Sequence, residues 1–90
     1  MPVKSVSVGT SATLILAAQS RRKSTLIFNN SAATVFIGPD STITTSNAFP
    51  VLTQTSFVED DGNQRMYSGD IYGIVASGSS DVRVWERDGT

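Results

Sequence analysis

Short runs of β-branched and aromatic residues return along this chain every eight to twelve residues, separated by clusters of Gly, Asn, Asp and Ser. The runs cover residues 3–8, 13–17, 25–29 and 34–37, a weaker stretch over 42–52, and then 55–59, 65–67, 70–76 and 81–86. A strand of this length has an apolar side that only a facing sheet can cover, so the spacing predicts an all-β sandwich or small barrel. No segment keeps a period of 3.6 for two turns between breakers, so no substantial helix is expected.

Alternation within the runs predicts which side chains turn inward. Val6 with Val8, Leu14 with Leu16 (Ile15 opposite), Leu26 with Phe28, Val35 with Ile37, Tyr72 with Ile74, and Val82 with Val84 form the expected core set. Phe49 and Phe57 are expected to plug the two ends. The stretch 71–75 is apolar on both faces, which marks a central strand or one whose second face a partner covers. Gly73 within it leaves room for a neighbouring ring or marks a bulge. Asn29-Asn30-Ser31 and Gly38-Pro39-Asp40-Ser41 are breakers between strands. Asp60-Asp61-Gly62-Asn63 predicts a hairpin between Phe57 and Met66, and Ser77-Gly78-Ser79-Ser80 a last hairpin.

Ninety residues of 9.6 kDa make one domain, read as an N-terminal strand or arm over 1–10 and a sandwich over 11–90. Area scaling gives a folded surface of about 5,000 Å² against about 14,000 Å² for the extended chain, a marginal burial for non-local β contacts. Domains of this size are commonly reinforced by disulfides, a metal or association. With no Cys and no His, oligomerisation or docking on a larger assembly is the remaining expectation. The net charge is −1 and charged residues make up 17% of the chain, so no field steers it to nucleic acid or to an anionic membrane. The first residues lack a signal-peptide apolar run, and no stretch reaches the length of a membrane span. The chain therefore reads as soluble and not exported by the ordinary route.

Groups for catalysis are scarce. Without His or Cys, base and nucleophile roles would fall to carboxylates, Lys4, Lys23, Tyr67 or Tyr72. Glu59, Asp60 and Asp61 are consecutive, so alternate side chains diverge, and Gly62 beside them favours a solvated turn. The run lacks the spaced oxygen ligands and terminal Glu of an EF-hand loop. At Asp40, Asp70 and Asp81 an Asx interaction is the plain reading. No enzyme activity, metal or cofactor is expected.

Two features remain. The basic cluster Arg21, Arg22, Lys23 is the densest charge in the chain. It has no interleaved aromatic platform for a nucleic acid, and reads either as a polar strand entrance protecting a sheet edge or as an interprotomer or capsid-facing ion-pair site. Trp85 faces outward with Arg83 and Arg87 if Val82 and Val84 face inward, and an exposed Trp between arginines is an interface candidate. The alternative is that the N-terminal segment covers it. Phe36, opposite in parity to Val35 and Ile37, carries the same argument.

In series, the motifs resemble a known family. The run from Arg21 to Asn29-Asn30-Ser31, then Thr34-Val35-Phe36-Ile37-Gly38, Thr44-Thr45-Ser46-Asn47-Ala48-Phe49-Pro50, Gly69-Asp70-Ile71-Tyr72 and Asp81-Val82-Arg83-Val84 are similar in order to small virion proteins of tailed bacteriophages. The likeness spans Ser11 to Glu86. The chain departs at Ala48, where the family pattern has Gly, and at Thr53-Gln54, where it has Pro-Gly.

The resemblance implies a single-domain antiparallel β-sandwich, jelly-roll-like, acting as a capsid decoration or cement protein on the outer head surface. It further implies the major capsid protein as partner, a homo-oligomer (trimer), synthesis in the host cytoplasm, and an N-terminal arm able to pair with a neighbour's sheet. A tail, neck or head-fibre component is one alternative. A carbohydrate-binding module, which needs Trp85, Tyr67 or Tyr72 exposed together, is another.

Overall fold

The computed structural model of the chain describes residues 3–18, 22–60 and 69–88, giving the backbone alone at 22, 23, 59, 60, 87 and 88. Eight strands follow one another: β1 (Lys4–Val8), β2 (Thr13–Leu16), β3 (Arg22–Asn29), β4 (Val35–Gly38), β5 (Phe49–Val51), β6 (Ser56–Asp60), β7 (Ile71–Ile74) and β8 (Ser80–Asp88). They form two four-stranded sheets, in the orders β1-β8-β3-β6 and β2-β7-β4-β5. Every pairing is antiparallel, and no helix occurs among the described residues.

The pairs β1 with β8, β2 with β7, β3 with β6 and β4 with β5 nest inside one another. A chain folded back on itself at its midpoint and then rolled into two layers gives this nesting, and the fold is a jelly roll. Apart from the link between β4 and β5, each connection crosses from one sheet to the other. The segment 75–79 is therefore an arch from β7 to β8 and not the expected hairpin. Turn residues serve both purposes, because either connection needs the tight reversal that Gly78 supplies at φ 68°. Of the hairpin expected at 60–63 only Asp60, the last residue of β6, is described, and the strand at 65–67 lies outside the described residues.

The weak stretch 42–52 contracts to β5. Its first part is held in turns: the Thr42 amide donates to Asp40 Oδ1 at 2.9 Å and the Thr44 amide to Asn47 Oδ1 at 2.7 Å. Side chains that satisfy neighbouring amides in this way compete with a sheet ladder.

Val8, Ile15, Leu16, Ile27, Val35, Ile37, Val51, Ile71, Val75, Val82 and Val84 form the core between the sheets, with Val6 and Phe57 packed against it. The total surface is 5249 Å², close to the scaling value for this mass. Inward facing was read correctly for β1, β4 and β8, where one parity is plainly polar or more weakly apolar.

Facing is opposite to expectation in two strands. In β3, Thr25, Ile27 and Asn29 are buried while Leu26 and Phe28 are half-buried on the outside; in β7, Ile71 and Gly73 turn inward and Tyr72 and Ile74 outward. Both strands are apolar on each side, so alternation alone carries no sign.

In β2 the register shifts between Leu14 and Leu16, which buries Ile15 and Leu16 together and leaves Leu14 44% exposed. A bulge of this kind breaks the two-residue period on which facing depends. Gly73 accommodates the consequence, since Ile15 Cδ1 lies 2.6 Å from where a Cβ at residue 73 would stand. The neighbour is thus an aliphatic chain, and the bulge sits in β2. Phe49 and Phe57 do not plug opposite ends. Their rings meet edge to face at 5.9 Å, joining β5 and β6, the strands that end the two sheets on the same side.

Candidate interaction surfaces

Charge divides the two sheets. The strands of the β2-β7-β4-β5 sheet read TLIL, VFIG, FPV and IYGI, without a charged residue, whereas each strand of the other sheet carries at least one. The sandwich therefore has two outer faces of different chemistry.

The outer side of the charge-free sheet presents Leu14, Tyr72, Ile74, Phe36 and Pro50. Register makes them contiguous: Leu14 stands opposite Tyr72, Ile74 opposite Phe36, and Phe36 opposite Pro50. Pro50 is compatible with its place because β5 ends the sheet and needs no second ladder. Leu52 follows, 58% exposed.

One end of this face is covered from within. Gly38 alternates with inward-facing Ile37, and the Ile43 side chain occupies the place where a residue 38 side chain would begin. Ile43 is buried, yet lies apart from the cluster between the sheets. The loop 39–48 thus folds back over the Gly38 end, while along the rest of the face Phe36, Tyr72 and Ile74 are half-buried and Leu14 is exposed.

The outer side of the other sheet is mixed. Across three strands Trp85, Leu26 and Val58 form one row, with Trp85 44% and Val58 62% exposed. The next row holds Ser5, Arg83, Phe28 and Ser56. Arg83 Nε lies 3.0 Å from Asp81 Oδ2, which also accepts from the Asn30 amide at 3.0 Å. The Asn30 hydrogen bond, and after it Arg83, hold the Asp81 carboxyl below its ordinary value of 3.8.

At the end where the arches 9–12, 30–34, 52–55 and 75–79 gather, Asn29 is the hub. Its amide donates to the Ala33 and Val51 carbonyls at 2.7 and 2.9 Å, and its Oδ1 accepts from the Ser31 hydroxyl at 2.6 Å. Its backbone closes the same junction: its N–H donates to the Thr55 carbonyl and its carbonyl accepts from the Gln54 N–H. Gln54 adopts φ 57° there, a left-handed conformation that costs a non-glycine residue about 1 kcal/mol or more.

The residues singled out from the sequence fall as follows. Trp85 is outward, as its parity requires, and β1 pairs beside β8 without covering it. Arg83 is exposed on the same side, and Phe36 belongs to the opposite, charge-free face. Arg22 and Lys23 open β3, where Arg22 stands opposite Asp88 of β8 and the described ladder to β6 begins at Ser24. Arg21 lies outside the described residues, as do the side chains of Arg22, Lys23 and Arg87.

Trp85 and Tyr72 stand on opposite sides of the sandwich and do not share an aromatic platform. Tyr67 is outside the described residues. Asp40 forms the expected Asx turn; the Thr42 hydroxyl and then the Thr42 amide lower its carboxyl from 3.8. Asp70 instead accepts from the Ala18 amide at 2.7 Å, across the fold. Among the described residues no group of three His, Cys, Asp or Glu side chains could hold a metal ion.

Sequence reasoning missed Leu14, Pro50, Tyr72 and Ile74 as one surface. The signal available was the two-sided apolar character of residues 71–75. No protein family, curated protein or solved structure matches the chain.

Proposed function

We propose that this chain is a structural protein of a bacteriophage virion, a capsid decoration protein that binds the outer head surface and stabilises the shell. The observation that carries the reading is that both outer sheet faces present large apolar side chains, one face without charge and the other among charged residues, on a chain poor in groups for catalysis. A jelly roll that buries its core between the sheets has no structural need of Phe36 and Ile74 on one outer side, or of Trp85 and Leu26 on the other. Large apolar side chains on an outer face are what protein contact covers. The order of motifs from Arg21 to Val84 supports the virion setting, while the fold alone does not, since jelly rolls also serve lectins and enzymes.

Mechanically, a rigid sandwich with two usable faces bridges neighbouring subunits. Each contact is small, but many copies on one shell act together, because subunits already held in place meet at high effective concentration. The major capsid protein is the partner this role requires. The mixed face suits it, as Arg83 and Asp81 give the Trp85 row a charged rim that selects orientation.

Co-sedimentation of the purified chain with particles from which it has been deleted tests the reading. Saturable binding that Trp85→Ala weakens about tenfold or more is expected. Failure to bind such particles at all would contradict it. A tail or neck location differs only in copy number, and nothing in the geometry favours it over the head.

A further inference from the structure

We propose that copies of this chain join head to tail through the two free edges of one sheet, β1 of one copy pairing antiparallel with β6 of the next. Both strands keep their own partners, and the inference goes beyond the virion reading without resting on it.

In the sheet β1-β8-β3-β6, β1 pairs only with β8 and β6 only with β3 among the described residues. Each therefore has one side of its backbone whose N–H and C=O groups take part in no ladder there, and an added strand satisfies such groups. The edges of the other sheet are guarded. β2 carries the bulge between Leu14 and Leu16, and β5 is three residues long with Pro50 at its centre. β1 and β6 are five residues each, with neither a proline nor a register shift against their neighbours.

Direction fits the pairing. Strands β1, β8, β3 and β6 alternate in direction because each adjacent pair is antiparallel, so β1 and β6 run oppositely. A second copy set beside the first in the same orientation brings its β6 antiparallel to the first copy's β1, and the sheet continues across the contact.

Facing fixes the register. Val6 and Val8 turn inward in β1; in β6 Phe57 turns inward and Val58 outward. Residues directly opposite in an antiparallel pair share a face, and a slip of one would set inward against outward. Val6 opposite Phe57 places Ser7 opposite Ser56, Ser5 opposite Val58 and Lys4 opposite Glu59. Val6 and Phe57 are the two half-buried apolar residues packed against the core, one at each edge, and this register covers both. Sliding by two residues sets Val6 against Glu59 or Lys4 against Phe57, an apolar residue against a charged one in either case.

Charge selects a second copy as the occupant. The charge on β1 is that of Lys4, and the charges on β6 are those of Glu59 and Asp60. Two β1 edges share one sign, as do two β6 edges, whereas β1 with β6 sets opposite charges at one cross-strand position. Both halves of the complement lie on one chain, so the strand that fits β1 is this chain's own β6 from another copy. The contact is heterologous, and its repetition gives a closed ring or an open row.

Sedimentation velocity of the purified chain over a concentration series reaching about 1 mM tests the proposal. Species heavier than twice the 9.6 kDa monomer mass are expected as concentration rises, because a head-to-tail dimer still has a free edge at each end. Lys4→Glu, at an exposed position, and Glu59→Lys should each weaken association about fivefold or more, with an unchanged far-UV circular dichroism spectrum. An equimolar mixture of the two variants should restore it, since the altered edge of each meets its opposite charge on the other. Damage to the fold is not repaired by mixing.

A monomer at every concentration would overturn the proposal, as would assembly that stops at the dimer. So would single variants that associate as the parent does, or a mixture that associates no better than either variant alone. Assembly of a protein that fails to bind particles would leave this pairing standing and remove the virion reading; a strictly monomeric protein that binds them would do the reverse.

Discussion

Asn29 holds the loop end of the sandwich together through groups that have no route to water. At 1% exposure, its amide and carbonyl oxygen are matched by Ala33, Val51 and Ser31, and truncation would leave the buried Val51 carbonyl without that donor. Asn29→Ala is expected to cost about 2–4 kcal/mol, read as a lower urea midpoint at unchanged slope. Thr25 is the converse case. It is as deeply buried, and its hydroxyl has no hydrogen-bond partner among the described residues. Thr25→Val should therefore be neutral or stabilising by up to about 1 kcal/mol in the same measurement. These two residues also explain why the facing of β3 was not legible. Alternation places Leu26 and Phe28 inside because they are more apolar than Thr25 and Asn29. Its partners at 31 and 33 are local, but the bond that buries it, from the Asn29 amide to the Val51 carbonyl 22 positions on, is tertiary.

At the scale of elements, β2 and β7 fit because a bulge and a glycine compensate each other. The bulge turns Ile15 inward beside Leu16, and Gly73 gives Ile15 Cδ1 the space that a side chain would fill. Gly73→Ala should destabilise by about 1–3 kcal/mol through overpacking. Adding Ile15→Val removes the offending methyl, so the double variant should be more stable than the sum of the two single costs predicts; thermal melts of all four proteins give the coupling. Strand existence was legible nearly throughout, since runs bounded by Gly, Asn and Asp found seven of the eight strands within three residues at either end, and β5 fell inside the weak stretch. Connection type was not. The turn before Ser80 has the residues of a hairpin, yet joins different sheets, because what decides between hairpin and arch is which strand claims the edge of its neighbour.

The whole molecule is organised by the split of charge between its sheets. That split was legible only in part: the two-sided apolar strand at 71–75 announced a face needing cover, while membership of the same sheet by β2, β4 and β5 depends on pairings far apart in sequence. Trp85 was legible because β8 alternates cleanly, with Val82 and Val84 inside. Trp85→Ala should lower stability by no more than about 1 kcal/mol, since the ring is already 44% exposed, while weakening attachment to particles far more. A protein that unfolds on this change would place the ring in the core.

The copy number of this chain relative to the major capsid protein, measured by quantitative mass spectrometry of purified particles, tests the central claim most directly. A decoration protein is present in near-stoichiometric amount, and that is the predicted result. A handful of copies per particle would move the chain to the neck or tail, and its absence from particles would contradict the account.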